Sequence, residues 1–185
     1  MTERVEVTAA SLTDKQRGMM FWASSIALIA TAMSFAIRGD ILGELEALHE
    51  LSKAQAGAVG NAWAWGFAGA ILFGGPLCDI LGMKRVMFLA FLGHTLGCLG
   101  VIFGPAPSFA VLFSSVLVMG LGNGMVEAAI NPLVATIYPK QKLAKLNALH
   151  AWFPGGIVIG GLISYAMTQT MPGAVVAGLD LWQLK

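Results

Sequence analysis

Glu127 stands in the run Gly120–Pro132, "GLGNGMVEAAINP", with Asn123 one helical turn before it and Asn131 one turn after. Residues at i, i+4 and i+8 share one slowly drifting stripe of an α-helix. A carboxyl group and two amides therefore face much the same way. On a helix from Phe109 to Tyr138, Glu127 lies 18 residues from one end, about 27 Å, and 11 from the other, about 16 Å. In a bilayer that is near the middle, where an ionised acid costs at least about 2.5 kcal/mol and turns toward a bundle interior or a watery cavity. An acid held there and reached by water can take up and release a proton, so Glu127 is the candidate proton-coupling group. The dry alternative is a protonated Glu127 bonded to a neighbouring helix, with the amides as interhelical glue. Pro132 follows the stripe and strips the carbonyl one turn back of its amide partner.

Other polar residues could join the same wall. Asn147, His150 and Pro154 recur at i, i+3 and i+7, and Asn61 and Trp65 are one turn apart. An indole beside amides suits a sugar-like ligand, the ring covering C–H faces while the amides pair with hydroxyls. Asn123, Asn131, Asn147, His150, Asn61 and Trp65 are thus candidate substrate-binding residues, although Trp65 equally fits plain core or an interfacial belt. Asp40, about 35 Å of helix beyond Arg17, is expected at the mouth of the bundle. There it is either solvated beside Arg38 or a second coupling carboxylate. His94 reads as a helix contact and His49 as a solvated loop residue. Cys78 and Cys98 lie in apolar segments and read as small buried hydrophobes, neither a disulfide nor a metal site. No HExxH, nucleophile elbow or Cys/His pairing occurs, so no enzyme, metal or cofactor is expected.

The elements that must carry these groups are apolar blocks. The chain of 185 residues is 57% hydrophobic and 11% charged, with mean hydropathy +0.75; a soluble domain carries roughly 25% charged residues. Five blocks, 18–37, 56–78, 86–104, 109–138 and 150–171, are each long enough to cross a bilayer. The expected fold class is an all-α, polytopic helical bundle in a membrane. Residues 1–17 would be a tail, 138–147 a basic linker, and 172–185 a loop entering a sixth, truncated helix, so the chain reads as a fragment. On alternating topology, eight of the eleven basic residues fall on one side: Arg4, Lys15, Arg17, Lys84, Arg85, Lys140, Lys142 and Lys145. The positive-inside rule then places the N-terminus in the cytoplasm, and the expected location is the plasma (inner) membrane. A net charge of +1 offers no surface for nucleic acid.

The connection "GGPLCDILGMKR" (74–85) carries Gly75, Asp79, Gly82, Lys84 and Arg85. This resembles the loop signature of the major facilitator superfamily, G-x-x-x-D-x-x-G-x-[RK]-[RK]. Ile80 and Met83 stand where basic residues are common, thinning the charge network. The resemblance implies a conformational latch at these residues and a bundle completed by a C-terminal half. "SFAIRGDIL", "NGMVEAAINPLV" and "KLNALHAWFPGGIVIGGL" are similar to the first, fourth and fifth helices of the fucose/hexose–proton symporter branch. The match implies that Asp40 and Glu127 are its acids of the first and fourth helices, and Asn147 a substrate-side residue of the fifth. Its expected partners are a small-molecule substrate, protons and the lipid bilayer. Two rivals remain: a drug/proton antiporter, which "PGGIVIGG" loosely resembles, and a non-transporting sensor that keeps the fold.

Overall fold

A computed structural model describes residues 11–185; the first part of the expected tail, Arg4 included, lies outside the described residues. Helix α1 spans Asp14–Asp40 and starts at a reciprocal cap in which Thr13 and Gln16 satisfy each other's backbone amides. A short helix, α2 (Leu42–Leu48), follows. A second capping box, Ser52 with Gln55, opens α3 (Lys53–Leu81). Gly82 alone joins it to α4 (Met83–Phe103). Helix α5 (Phe109–Ile137) is capped by Ser108. A 3₁₀ turn at Pro139–Gln141 leads to α6 (Lys142–His150) and α7 (Trp152–Thr170). A two-residue antiparallel pair, β1 (Val175–Val176) and β2 (Leu179–Asp180), precedes α8 (Leu181–Leu184).

Among the described residues, five helical stretches are long and apolar enough to cross a membrane. Each differs from its hydropathy block for a local reason. The Ser52–Gln55 cap starts α3 before the apolar run begins. The linker at 138–147 is largely helical, and the fifth stretch is broken after His150. Pro154 explains the break: its ring cannot pass the carbonyl four residues earlier, which belongs to His150. Pro132, by contrast, stays inside α5. It frees the Ala128 carbonyl, and the Cys78 thiol of α3 donates to that oxygen at 3.5 Å.

Helix α5 is the axis of the bundle, flanked along its length by α3 and α4, while α1 pairs with α7 and meets α5 across a shorter seam. Glycines set these distances. A methyl group at Gly120 would stand 2.2 Å from the Trp63 carbonyl oxygen of α3, and one at Gly160 would stand 2.8 Å from Met33 Cα of α1. Two apolar clusters fill the interior. One, around Leu45, Val59, Trp63, Leu112 and Val116, lies toward the end carrying the 41–52 and 104–108 loops, hereafter the hairpin end. The other, around Phe21, Leu28, Val126, Ile130 and Val134, lies toward the opposite, basic end. His49 is buried, not solvated: its Nδ1 accepts the Ser108 amide at 3.1 Å and ties the two hairpin-end loops together.

Candidate functional site

The stripe on α5 divides between dry and accessible surroundings. Asn123 is only 1% exposed and donates through Nδ2 to the Thr31 carbonyl of α1 at 3.4 Å. His94 of α4 faces it from the other side, but His94 Nδ1 and Asn123 Oδ1 are both buried without a hydrogen bond among the described residues. Methyl groups at the flanking Gly122 and Gly124 would meet His94 N and Phe67 O, each at 2.5 Å. The bare backbone at those two positions brings α4 and α3 against α5 and leaves Asn123 in a three-helix seam. Each four-residue step rotates about 40° around the helix. Glu127 is thereby carried off the seam, is half-buried, and comes within electrostatic reach of His150 on α6. Asn131 is half-buried, its Oδ1 shielded and without a hydrogen-bond partner among the described residues.

The remaining candidate wall residues are exposed. Asn61 donates to Gly57 O of its own helix at 2.9 Å. Trp65 is 57% exposed and leans on Phe113, ring centroids 6.0 Å apart. Asn147 and His150 are exposed on α6. Of these four, His150 falls within electrostatic reach of Glu127. Asn123 lies in the seam, so the stripe does not form a continuous wet wall.

Asp40 is not beside Glu127. It is the last residue of α1, at the hairpin end, where Oδ2 accepts from Ser164 Oγ of α7 at 2.6 Å and from Lys185 Nζ at 2.5 Å. Lys185 also donates to Thr168 Oγ1 at 2.8 Å. This cluster pins α1, α7 and the C-terminal segment together. Arg38, expected in solvent with Asp40, is buried. Its guanidinium donates to Gly60 O at 3.1 Å and lies 5.3 Å from the Phe35 ring centroid and 5.9 Å from that of Trp63. Sequence reasoning missed Arg38 because a cation near a helix end usually snorkels to the headgroups. The available signal was Phe35, one turn back on the same face.

At the basic end, Gly82 has φ +82°, the left-handed side open to glycine, and serves as both the last cap of α3 and the first of α4. Asp79, Lys84 and Arg85 are exposed around it, and Gly75 faces open space. Among the described residues Asp79 makes no ion pair.

Residues 16–183 match the family described as Major Facilitator Superfamily. The chain belongs to that superfamily. It is 24% identical over 148 residues to a D-xylose-proton symporter-like protein of Arabidopsis thaliana, covering 74% of this chain and 29% of that one. It is 26% identical over 140 residues to a cis,cis-muconate transport protein of Acinetobacter baylyi, covering 75% and 33%. It is 32% identical over 114 residues to a minor myo-inositol transporter of Bacillus subtilis, covering 60% and 26%. The chain thus spans about a third or less of the length of these relatives. No solved structure matches it. The superfamily read from the 74–85 signature is correct, and so is the all-α helical membrane bundle.

Proposed function

We propose that this chain is part of the N-terminal half of a proton-coupled importer of a sugar or similar polar small molecule, working by alternating access around a midplane site. The observation that carries the reading is Glu127, half-buried near mid-span with His150 in electrostatic reach. An ionised acid resists being sealed into a dry interior, whereas a protonated one does not. Proton uptake at Glu127 lets the loaded bundle close, and release on the far side resets it. Asp40 assists from the entrance. Asn131, Asn147, His150, Asn61 and Trp65 offer polar and aromatic surface to substrate held against the second half, with Asn123 bracing the seam behind them. Gly75, Asp79, Gly82, Lys84 and Arg85 form the latch on the cytoplasmic side, with the N-terminus in the cytoplasm and the protein in the plasma membrane.

The names of the xylose-symporter-like and inositol-transporter relatives support a hydroxylated substrate and a proton as its partner. Vesicles or cells carrying the full-length protein should alkalinise the medium when xylose, fucose or inositol is added. Efflux of a lipophilic cation with no sugar-linked proton movement would instead select the antiporter.

A further inference from the structure

Pro132 has no amide hydrogen, so the Ala128 carbonyl has no donor within α5. Ala128 directly follows Glu127. The Cys78 thiol of α3 donates to that carbonyl at 3.5 Å, and among the described residues it makes the only side-chain hydrogen bond between α3 and α5. A methyl group at Gly74, one turn earlier on α3, would stand 2.3 Å from the Ala128 Cβ. Gly74 and Cys78 therefore both bear on one alanine. Toward the hairpin end the same seam is bare-backbone contact, a methyl at Gly124 meeting Phe67 O at 2.5 Å. Pro76 lies inside α3 and frees the Leu72 carbonyl in turn. Both helices thus carry a proline gap at this level. Cys78 also stands next to Asp79 and four residues, about 6 Å of helix, before Gly82, where α3 stops.

We propose that the Cys78–Ala128 contact links the turn carrying Glu127 to the 79–85 connection, with Cys78 as a positioning residue. The inference rests on Glu127 as the proton site and on 79–85 as a latch. Helices bend most readily at proline gaps, so the two pliable turns move together only if something ties them. The thiol is a weak donor, but it serves a carbonyl that its own helix leaves open. A change of charge at Glu127 alters how its turn sits among its neighbours. The tie carries that displacement into the last turn of α3. Gly82 alone joins α3 to α4, so a tilt there reaches Asp79, Lys84 and Arg85.

Amide hydrogen exchange on the full-length protein in detergent reads the link. Glu127→Gln, neutral at every pH, stands for the protonated acid. It should change exchange in the peptide covering 79–86 by about threefold or more, the signature of altered local opening. Cys78→Ala, which removes the donor, should abolish that response, and Cys78→Ser, which keeps one, should retain it. Pro132→Ala cuts the tie from the other side, because its new amide hydrogen takes the Ala128 carbonyl back into α5. It should also abolish the response, and it decides the matter if Cys78→Ala fails to fold. A merely stabilising contact would lower the thermal midpoint of Cys78→Ala and leave the response to Glu127→Gln intact. That result, or no response in the protein with Cys78 and Pro132 in place, overturns the proposal. The measurement uses neither substrate nor a proton gradient. Normal substrate accumulation by Glu127→Gln, with the exchange response present, would therefore fault the coupling assignment and leave the link standing.

Discussion

Glu127 and Asn123 differ by a single helical turn yet have different physical roles. Asn123 fills a seam and holds a carbonyl of α1. Its replacement by Ala should lower stability by about 1 kcal/mol, the typical scale of interhelical hydrogen bonds in lipid, while leaving substrate affinity nearly unchanged. Thermal unfolding and a binding isotherm on the purified protein separate the two effects. Asp40 and Lys185 form a pair that can be inverted. Asp40→Asn should loosen the C-terminal segment, seen as faster amide exchange at 181–184. The double exchange Asp40→Lys, Lys185→Asp should restore protection if the contact is electrostatic. The acid stripe was legible from spacing alone, because i, i+4, i+8 in an apolar run admits few explanations. The fate of Asn123 was not legible, since it depends on how closely α3 and α4 approach on either side.

Elements were read well where hydropathy decides them and less well where caps and prolines do. The fourth block and α5 share their first residue, because Ser108 caps the helix start just after the prolines, and differ only at Tyr138, which caps the other end. The broken fifth stretch was not anticipated. Pro154 was counted as a member of a polar face, and its clash with the His150 carbonyl was overlooked. Glycine spacing pointed to contact faces, and neighbouring positions on α7 give a sharp test. At Gly160 a methyl group would meet Met33 Cα at 2.8 Å, whereas Gly161 faces open space. Gly160→Ala should destabilise by about 1–3 kcal/mol through overpacking. Gly161→Ala should be neutral or stabilise by up to about 1 kcal/mol through helix propensity. Thermal midpoints of the two variants, compared side by side, decide it. Gly82→Ala, at φ +82°, should cost about 1–3 kcal/mol in backbone strain, measured in the same way.

At the scale of the molecule, the membrane bundle followed from composition, and the superfamily followed from one short connection between two helices. The depth of Arg38 did not follow from either. Its burial against Phe35 and Trp63 arises only when α1 and α3 are packed together. A pattern of polar residues shows which side chains share a helix face. It does not show which face another helix will cover, and that is what separates a cavity wall from a seam here. The proposed coupling depends on Glu127 exchanging a proton during transport. The most direct measurement is accumulation of labelled substrate by the full-length protein in proteoliposomes under an imposed proton gradient, for the unmutated protein and Glu127→Gln. The variant should still exchange substrate across the membrane but fail to concentrate it. Accumulation at the unmutated level would contradict the assignment of Glu127 as the coupling acid.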